Sequence, residues 1–191
     1  MSFSTLTQPE KQMFWGNVLL VVCCAFYLSW WVLAFKPTGA IKGMKTGWLL
    51  LPALAAGVAA VLLTVRGISA AAVKTTLFPQ NVILWGGVAA YIVLLAVTVW
   101  LQKRPMTTEL LLIVGWAVLA LSEANALYGC GLFTHASAVA FVTAIGAVLL
   151  LCLICYVAYY QLDAVAGYLA GMAPLLLAAL VMAGLSVRTV W

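Results

Sequence analysis

Glu109–Phe133 reads ELLLIVGWAVLALSEANALYGCGLF, and this stretch decides the class of the molecule. It is apolar and long enough to cross a bilayer, whose hydrocarbon core takes about 20 helical residues. About two-thirds of the way along, Ser122, Glu123 and Asn125 interrupt it. A carboxylate at such a depth costs roughly 2.5–3.5 kcal/mol on insertion scales, so these residues usually face a bundle interior and mark a site. Ser122, Asn125 and Tyr128 recur every three residues and therefore share one side of a helix. Glu123 is turned from Asn125 by about half a turn, with Trp116 and Cys130 on its own face. Two polar faces imply a helix covered on both sides.

The rest of the chain agrees with this reading. Of 191 residues, 67% are hydrophobic and 7% charged, whereas soluble domains carry about 25% charged residues. The fold class is all-α, a polytopic transmembrane helical bundle, with residues 1–191 forming one integral membrane domain. Six spans are expected, at about 14–35, 47–65, 81–101, 109–133, 137–160 and 164–187, or five if the second segment lies in the interface. Met1 to Gln12 reads as a short polar surface arm and not as a signal peptide, since no small-residue cleavage site ends the first apolar run.

Local signals set the boundaries. Pro52 falls in the first turn of the second span, where its missing N–H does no harm. Ala53, Ala55, Ala56, Gly57, Ala59 and Ala60 give that span a small-residue surface for close helix packing. Gly67 to Gln80 reads as a mixed connector with room for a short interfacial helix. Thr107 or Thr108 is the expected N-cap of the fourth span, with Glu109 in its first turn. Asp163 sits in a very short turn, which makes the fifth and sixth spans antiparallel neighbours, and Pro174 is expected to kink the sixth.

The net charge of +5 comes mostly from residues that flank apolar runs, so it is no nucleic-acid footprint. Six spans put Lys11, Arg66, Lys74 and Arg188 on one side and Lys36, Lys42, Lys45, Lys103 and Arg104 on the other. The balance is nearly even. The denser first and third loops point weakly to their own side as cytoplasmic, in what is expected to be a cell (plasma) membrane, with both termini outside.

Chemistry-bearing residues are few. No glycine-rich phosphate loop, nucleophile elbow or His-Glu-x-x-His appears, and one histidine, His135, makes a protein metal site unexpected. The chain is not expected to be an enzyme. Cys152-Leu-Ile-Cys155 lies mid-span and reads more simply as small apolar filling than as a redox pair. Trp15, Trp30, Trp31, Trp48, Trp100 and Trp191 fall at span ends, as an interfacial belt requires. Trp85 and Trp116 lie deeper and, with Tyr91, Tyr128 and Tyr156, are candidates to line a pocket for a flat or apolar ligand; core packing explains them about as well. The candidate site is therefore Trp85, Trp116, Ser122, Glu123, Asn125, Tyr128 and Tyr156. For Glu123 two readings stay open. It is a ligand or proton site, or it is protonated or hydrogen-bonded to a neighbouring span and fixes packing.

Three pieces of the chain resemble the translocator protein family, the tryptophan-rich sensory proteins. Asn125, Tyr128, Leu132 and Phe133 stand at the spacing of a pattern on that family's third helix. Trp30, Trp31, Lys36 and Pro37 are similar to its first-loop motif, and Tyr159, Tyr160, Gln161, Asp163 and Pro174 to the turn into its proline-bearing last helix. Two departures stand beside these. The family has five spans, and its tryptophan and double-proline segment is replaced here by Thr38, Gly39 and Ala40. The resemblance implies a membrane-embedded binder, sensor or transporter of a porphyrin- or sterol-like molecule, often dimeric.

The expected function is accordingly a binder or transporter of an apolar small molecule. The alternative is a small ion- or proton-coupled transporter with Glu123 as the titrating group. No obligatory cofactor is expected; a tetrapyrrole or lipid is the candidate for a bound molecule. Expected partners are membrane lipid, the small molecule, and a second copy or a larger membrane complex.

Overall fold

The computed structural model describes residues 3–34, 46–102 and 107–191. Among them six helices follow one another: α1 (Gln8–Ala34), α2 (Leu50–Ala70), α3 (Gln80–Gln102), α4 (Thr107–Gly129), α5 (His135–Tyr159) and α6 (Ala164–Val190). Short 3-10 turns occupy Phe3–Thr5 and Thr46–Leu49. Each of the six helices is long and apolar enough to cross a membrane. The chain is an integral, multi-pass, all-α bundle, and its second segment is a helix long and apolar enough to span, one of six such among the described residues. Lys36, Lys42, Lys45, Lys103 and Arg104, which weigh in the orientation argument, lie outside the described residues.

Helix direction alternates along the chain. The start of α1, the ends of α2, α4 and α6, and the 71–79 and 130–134 connectors gather at one end of the bundle, here called the terminal end. Lys11, Arg66, Lys74 and Arg188 all belong to it.

Three boundaries differ from the sequence expectation. The expected polar arm is helical from Gln8, with Leu6, Glu10 and Met13 buried. The Glu10 carboxylate reaches back to accept the Thr7 backbone N–H at 2.7 Å, as position N3 of a capping box does, and Pro9 sits in the first turn where it disrupts nothing. Next, α2 does not stop at Arg66 but continues to Ala70, and 71–79 holds no interfacial helix. Finally, α4 ends at Gly129, four residues before Phe133. Gly131, at φ 78°, closes it. The Leu132 N–H bonds to Leu127 O at 3.0 Å and the Gly131 N–H to Tyr128 O at 3.0 Å, the paired bonds of a Schellman cap.

The α1–α2 pair is held by small residues. Ala53, Gly57, Ala60, Thr64 and Gly67 recur every three to four residues and form one stripe on α2. Ala53, Ala60, Thr64 and Gly67 are buried in it. A Cβ on Gly67 would stand 2.7 Å from Met13 Cγ and 2.8 Å from Pro9 O, and one on Gly16 would collide with Thr64 Oγ1. Glycine at both positions lets the two backbones approach, which is how helices associate where apolar lipid offers no hydrophobic drive. Of the small-residue surface noted in the sequence, Ala53, Gly57 and Ala60 belong to this stripe, while Ala55 is exposed.

α4 is the hub. It packs on α2, α3, α5 and α6, and 56% of its spanning window is buried, against 22% or less for every other span. α3 lies at the opposite extreme, resting mainly on α4 through Gly87 and Val118. Its outer side presents Val82, Trp85, Ile92, Val93 and Trp100 to the surroundings. α5 and α6 form the antiparallel pair expected from Asp163, whose carboxylate caps α6 by accepting the Ala166 N–H at 2.9 Å.

Candidate functional site

The two polar faces of α4 meet different partners. On one face Glu123, fully buried, accepts a hydrogen bond on Oε1 from Asn17 Nδ2 of α1 at 2.5 Å. Asn17 is fully buried as well. Two oxygens of this pair, Glu123 Oε2 and Asn17 Oδ1, have no donor among the described residues. Leaving buried polar atoms unpaired costs about 1–3 kcal/mol each, and most native structures avoid it. A proton on the carboxyl would pair the two with each other, Oε2–H donating to Asn17 Oδ1. By helix rise the pair sits about 10 Å below the terminal end, inside the hydrocarbon depth.

On the other face Asn125 holds the connector. Its Oδ1 accepts the N–H groups of Leu77 (2.8 Å) and Phe78 (3.2 Å), and its Nδ2 donates to Phe78 O at 2.9 Å. The Lys74 N–H adds a bond to Gly129 O at 3.1 Å. A chain segment without its own secondary structure must have its backbone groups satisfied somewhere, and Asn125 does this for the 77–78 peptide units. One turn deeper, Ser122 Oγ accepts a hydrogen bond from Gln80 Nε2 at 2.7 Å.

Beside these residues lies a cavity of about 550 Å³. α4 floors it, α2 and α3 wall it, and the connector roofs it. Both α2 and α3 pack on α4, while their mutual contact is slight at most. The lining is graded with depth. The polar side chains, Ser69, Thr76, Gln80, Ser122 and Asn125, all fall within about 10 Å of the terminal end, interspersed with Ile68, Val73, Val65 and Leu84, and the deepest lining residues, Leu119, Val118 and Gly115, are all apolar. Gly115 is about 20 Å of helix rise below the end of α4. A Cβ added there would meet nothing within 4 Å.

The structure sorts the expected site residues into separate places. Ser122 and Asn125 line the cavity. Glu123 faces away from them toward α1, as its half-turn offset predicts. Tyr128 packs against the buried core with its ring 6.1 Å from that of His135 at the terminal end. Trp116 packs on the same core, and its buried Nε1–H has no partner among the described residues. Tyr156 is buried near the opposite end beside Leu110, Tyr91 and Leu94. Trp85 is 71% exposed on the outside of α3, so it lines no pocket; a residue on a helix that rests mainly on one neighbour has its deep position but not its cover. Of the pattern Asn125, Tyr128, Leu132 and Phe133, the last two lie beyond the end of α4, with Phe133 stacked on Phe141 at 5.2 Å. The five cysteines are free thiols among the described residues, and Cys152 Sγ lies 3.9 Å from Pro174 O.

Sequence reading missed Asn17, Gln80, Ser69, Thr76 and Gly115. Asn17 carried a usable signal: it is an amide inside the apolar run FWGNVLLVV, one turn from Met13 on the same helix face. Gly115 carried none, since only the tertiary arrangement shows that open space lies above it. Comparison with known proteins gave no match to a family model, to a curated protein or to a solved structure.

Proposed function

We propose that the protein binds an amphipathic small molecule in the α2–α3–α4 cavity, its polar end under the 71–79 connector and its apolar body toward Gly115. The depth grading of the lining carries this reading. Polar side chains that can meet a head group occur only in the outer part, within about 10 Å of the terminal end, and the deepest part, at Leu119, Val118 and Gly115, is wholly apolar. The volume falls within the roughly 300–1,000 Å³ of small-molecule sites. A cavity set between two helices that barely meet also offers a lateral route from the bilayer. Porphyrin- and sterol-like molecules, implied by the resemblance to the translocator proteins, have the right amphipathic character and serve as probes. Titration of the purified protein with protoporphyrin IX and with a fluorescent sterol tests the proposal. Saturable binding of either, lost in Gly115→Phe, supports it; saturation by neither sinks it.

A second reading rests on the Asn17–Glu123 pair. A buried carboxyl with one oxygen unpartnered, and no ion pair to it among the described residues, suits a group that takes up and releases a proton as a substrate moves. Proteoliposome flux of protons under a substrate gradient tests this. Flux that survives Glu123→Gln at every pH removes the role.

A further inference from the structure

At the end of the bundle opposite the termini lies a second cavity, of about 430 Å³, unconnected with the reading above. Trp31 of α1, Tyr159 of α5, Tyr160 and Leu162 of the turn, and Asp163, Gly167 and Tyr168 around the start of α6 line it. The rings form one cluster. Trp31 lies 5.7 Å from Tyr159 and is stacked on Tyr168 at 6.5 Å, while Tyr159 and Tyr160 meet edge-on at 4.8 Å.

The backbone of α6 is cut away to seat these rings. A Cβ on Gly171 would stand 2.6 Å from Trp31 Cζ2 and 3.1 Å from Tyr159 Cδ2, and a Cβ on Gly167 would stand 3.1 Å from Tyr159 O. Glycine one helical turn apart thus lets Trp31 and Tyr159 lie against α6. Asp163 brings the one formal charge among the lining residues. One of its oxygens caps α6 through the Ala166 N–H, and the capped carboxylate still carries its charge toward the rim.

We propose that this cup binds an alkylammonium group, a quaternary ammonium of the choline type above all. Aromatic faces attract cations through their quadrupole, and weakly hydrated quaternary ammonium groups gain most because little water is stripped from them. A carboxylate at the rim adds charge complementarity and disfavours anions. An apolar neutral ligand is a poorer fit, because tyrosine and carboxylate oxygens stand among the rings. The group can come from a free amine or from a lipid head group, since the cup lies at a span end where head groups sit.

Titration calorimetry on the full chain in a maltoside detergent tests the proposal with choline and tetramethylammonium, against 3,3-dimethylbutan-1-ol, the neutral isostere of choline. Both cations are expected to bind saturably and the isostere not to. Asp163→Asn keeps a capping side chain on α6 while removing the charge, and Tyr168→Leu removes a ring; each should weaken choline binding about three- to tenfold with the melting temperature nearly unchanged. In nanodiscs, enrichment of phosphatidylcholine over phosphatidylglycerol around the protein, lost in Trp31→Leu, assigns the site to a head group. Choline binding without such enrichment assigns it to a free amine. Equal binding of the neutral isostere, or choline affinity unaffected by both Asp163→Asn and Tyr168→Leu, overturns the proposal.

Discussion

Asn17 and Glu123, 106 positions apart in the chain, share a hydrogen bond of 2.5 Å in the buried centre of the bundle. It ties α1 to α4 and leaves Asn17 Oδ1 and Glu123 Oε2 without donors. An amide at this position carries its own donor, because Gln at 123 can accept from Asn17 Nδ2 and donate to Asn17 Oδ1 together, as a protonated carboxyl also can. Glu123→Gln should therefore leave stability nearly unchanged where the carboxyl is protonated and raise it, where the carboxyl is ionised, by about 0.5–1.5 kcal/mol, a net hydrogen bond. For a chain of this size that is a melting-temperature gain of roughly 2–5 °C. Glu123→Ala should lower it, since it orphans the Asn17 amide and opens a cavity. Thermal unfolding in detergent distinguishes the two; equal losses in both variants would contradict the pairing.

The other polar face yields a local prediction. Asn125 makes three hydrogen bonds to residues 77 and 78, so Asn125→Ala should release the connector while leaving the six helices formed. Hydrogen exchange at Leu77 and Phe78 should accelerate by about 10-fold or more, the loss of at least one buried bond at 1–3 kcal/mol. Asn125→Asp keeps the acceptor for both N–H groups and should exchange at an intermediate rate. Exchange unchanged in Asn125→Ala would show that Lys74 and the packing of Val73 on Gly129 hold the connector without it.

A third prediction concerns the α1–α2 seam. Gly67→Leu places a side chain where Met13 Cγ and Pro9 O already stand within 3 Å of the Cβ position, and overpacking of this kind costs about 1–3 kcal/mol or more. Gly86→Leu, on the open side of α3 with nothing within 4 Å, should be tolerated. Melting temperatures of the two variants should separate clearly; parity would mean that the seam relaxes freely.

Much of this architecture is legible before any coordinates. Six apolar runs give six helices because the bilayer requires each spanning segment to satisfy its own backbone, and the paired polar faces of α4 foretell its central place. Boundaries were harder. The Thr7–Glu10 box and the Gly131 cap are short local signals that the longer apolar runs obscure. The site divided more sharply than a helical wheel can show. Ser122, Asn125 and Glu123 sit within four positions on one helix, yet which neighbour each meets depends on where α1, α3 and the connector dock. Trp85 shows the limit most plainly, since depth along a span does not tell which side of the helix is covered.

The cavity is tested most directly by filling it without disturbing the bundle. Gly115 lines it, and a Cβ at that position meets nothing within 4 Å, so Gly115→Phe should fold with an unchanged melting temperature while occupying the deep half of the space. Titration of the parent protein and of Gly115→Phe with protoporphyrin IX and with a fluorescent sterol, followed by tryptophan quenching and energy transfer, is the decisive measurement. Saturable binding of at least one probe to the parent, weakened at least about 10-fold in the variant, is the predicted result, equivalent to a loss of about 1.4 kcal/mol. Binding of equal affinity in a folded Gly115→Phe would contradict the assignment of the ligand to this cavity.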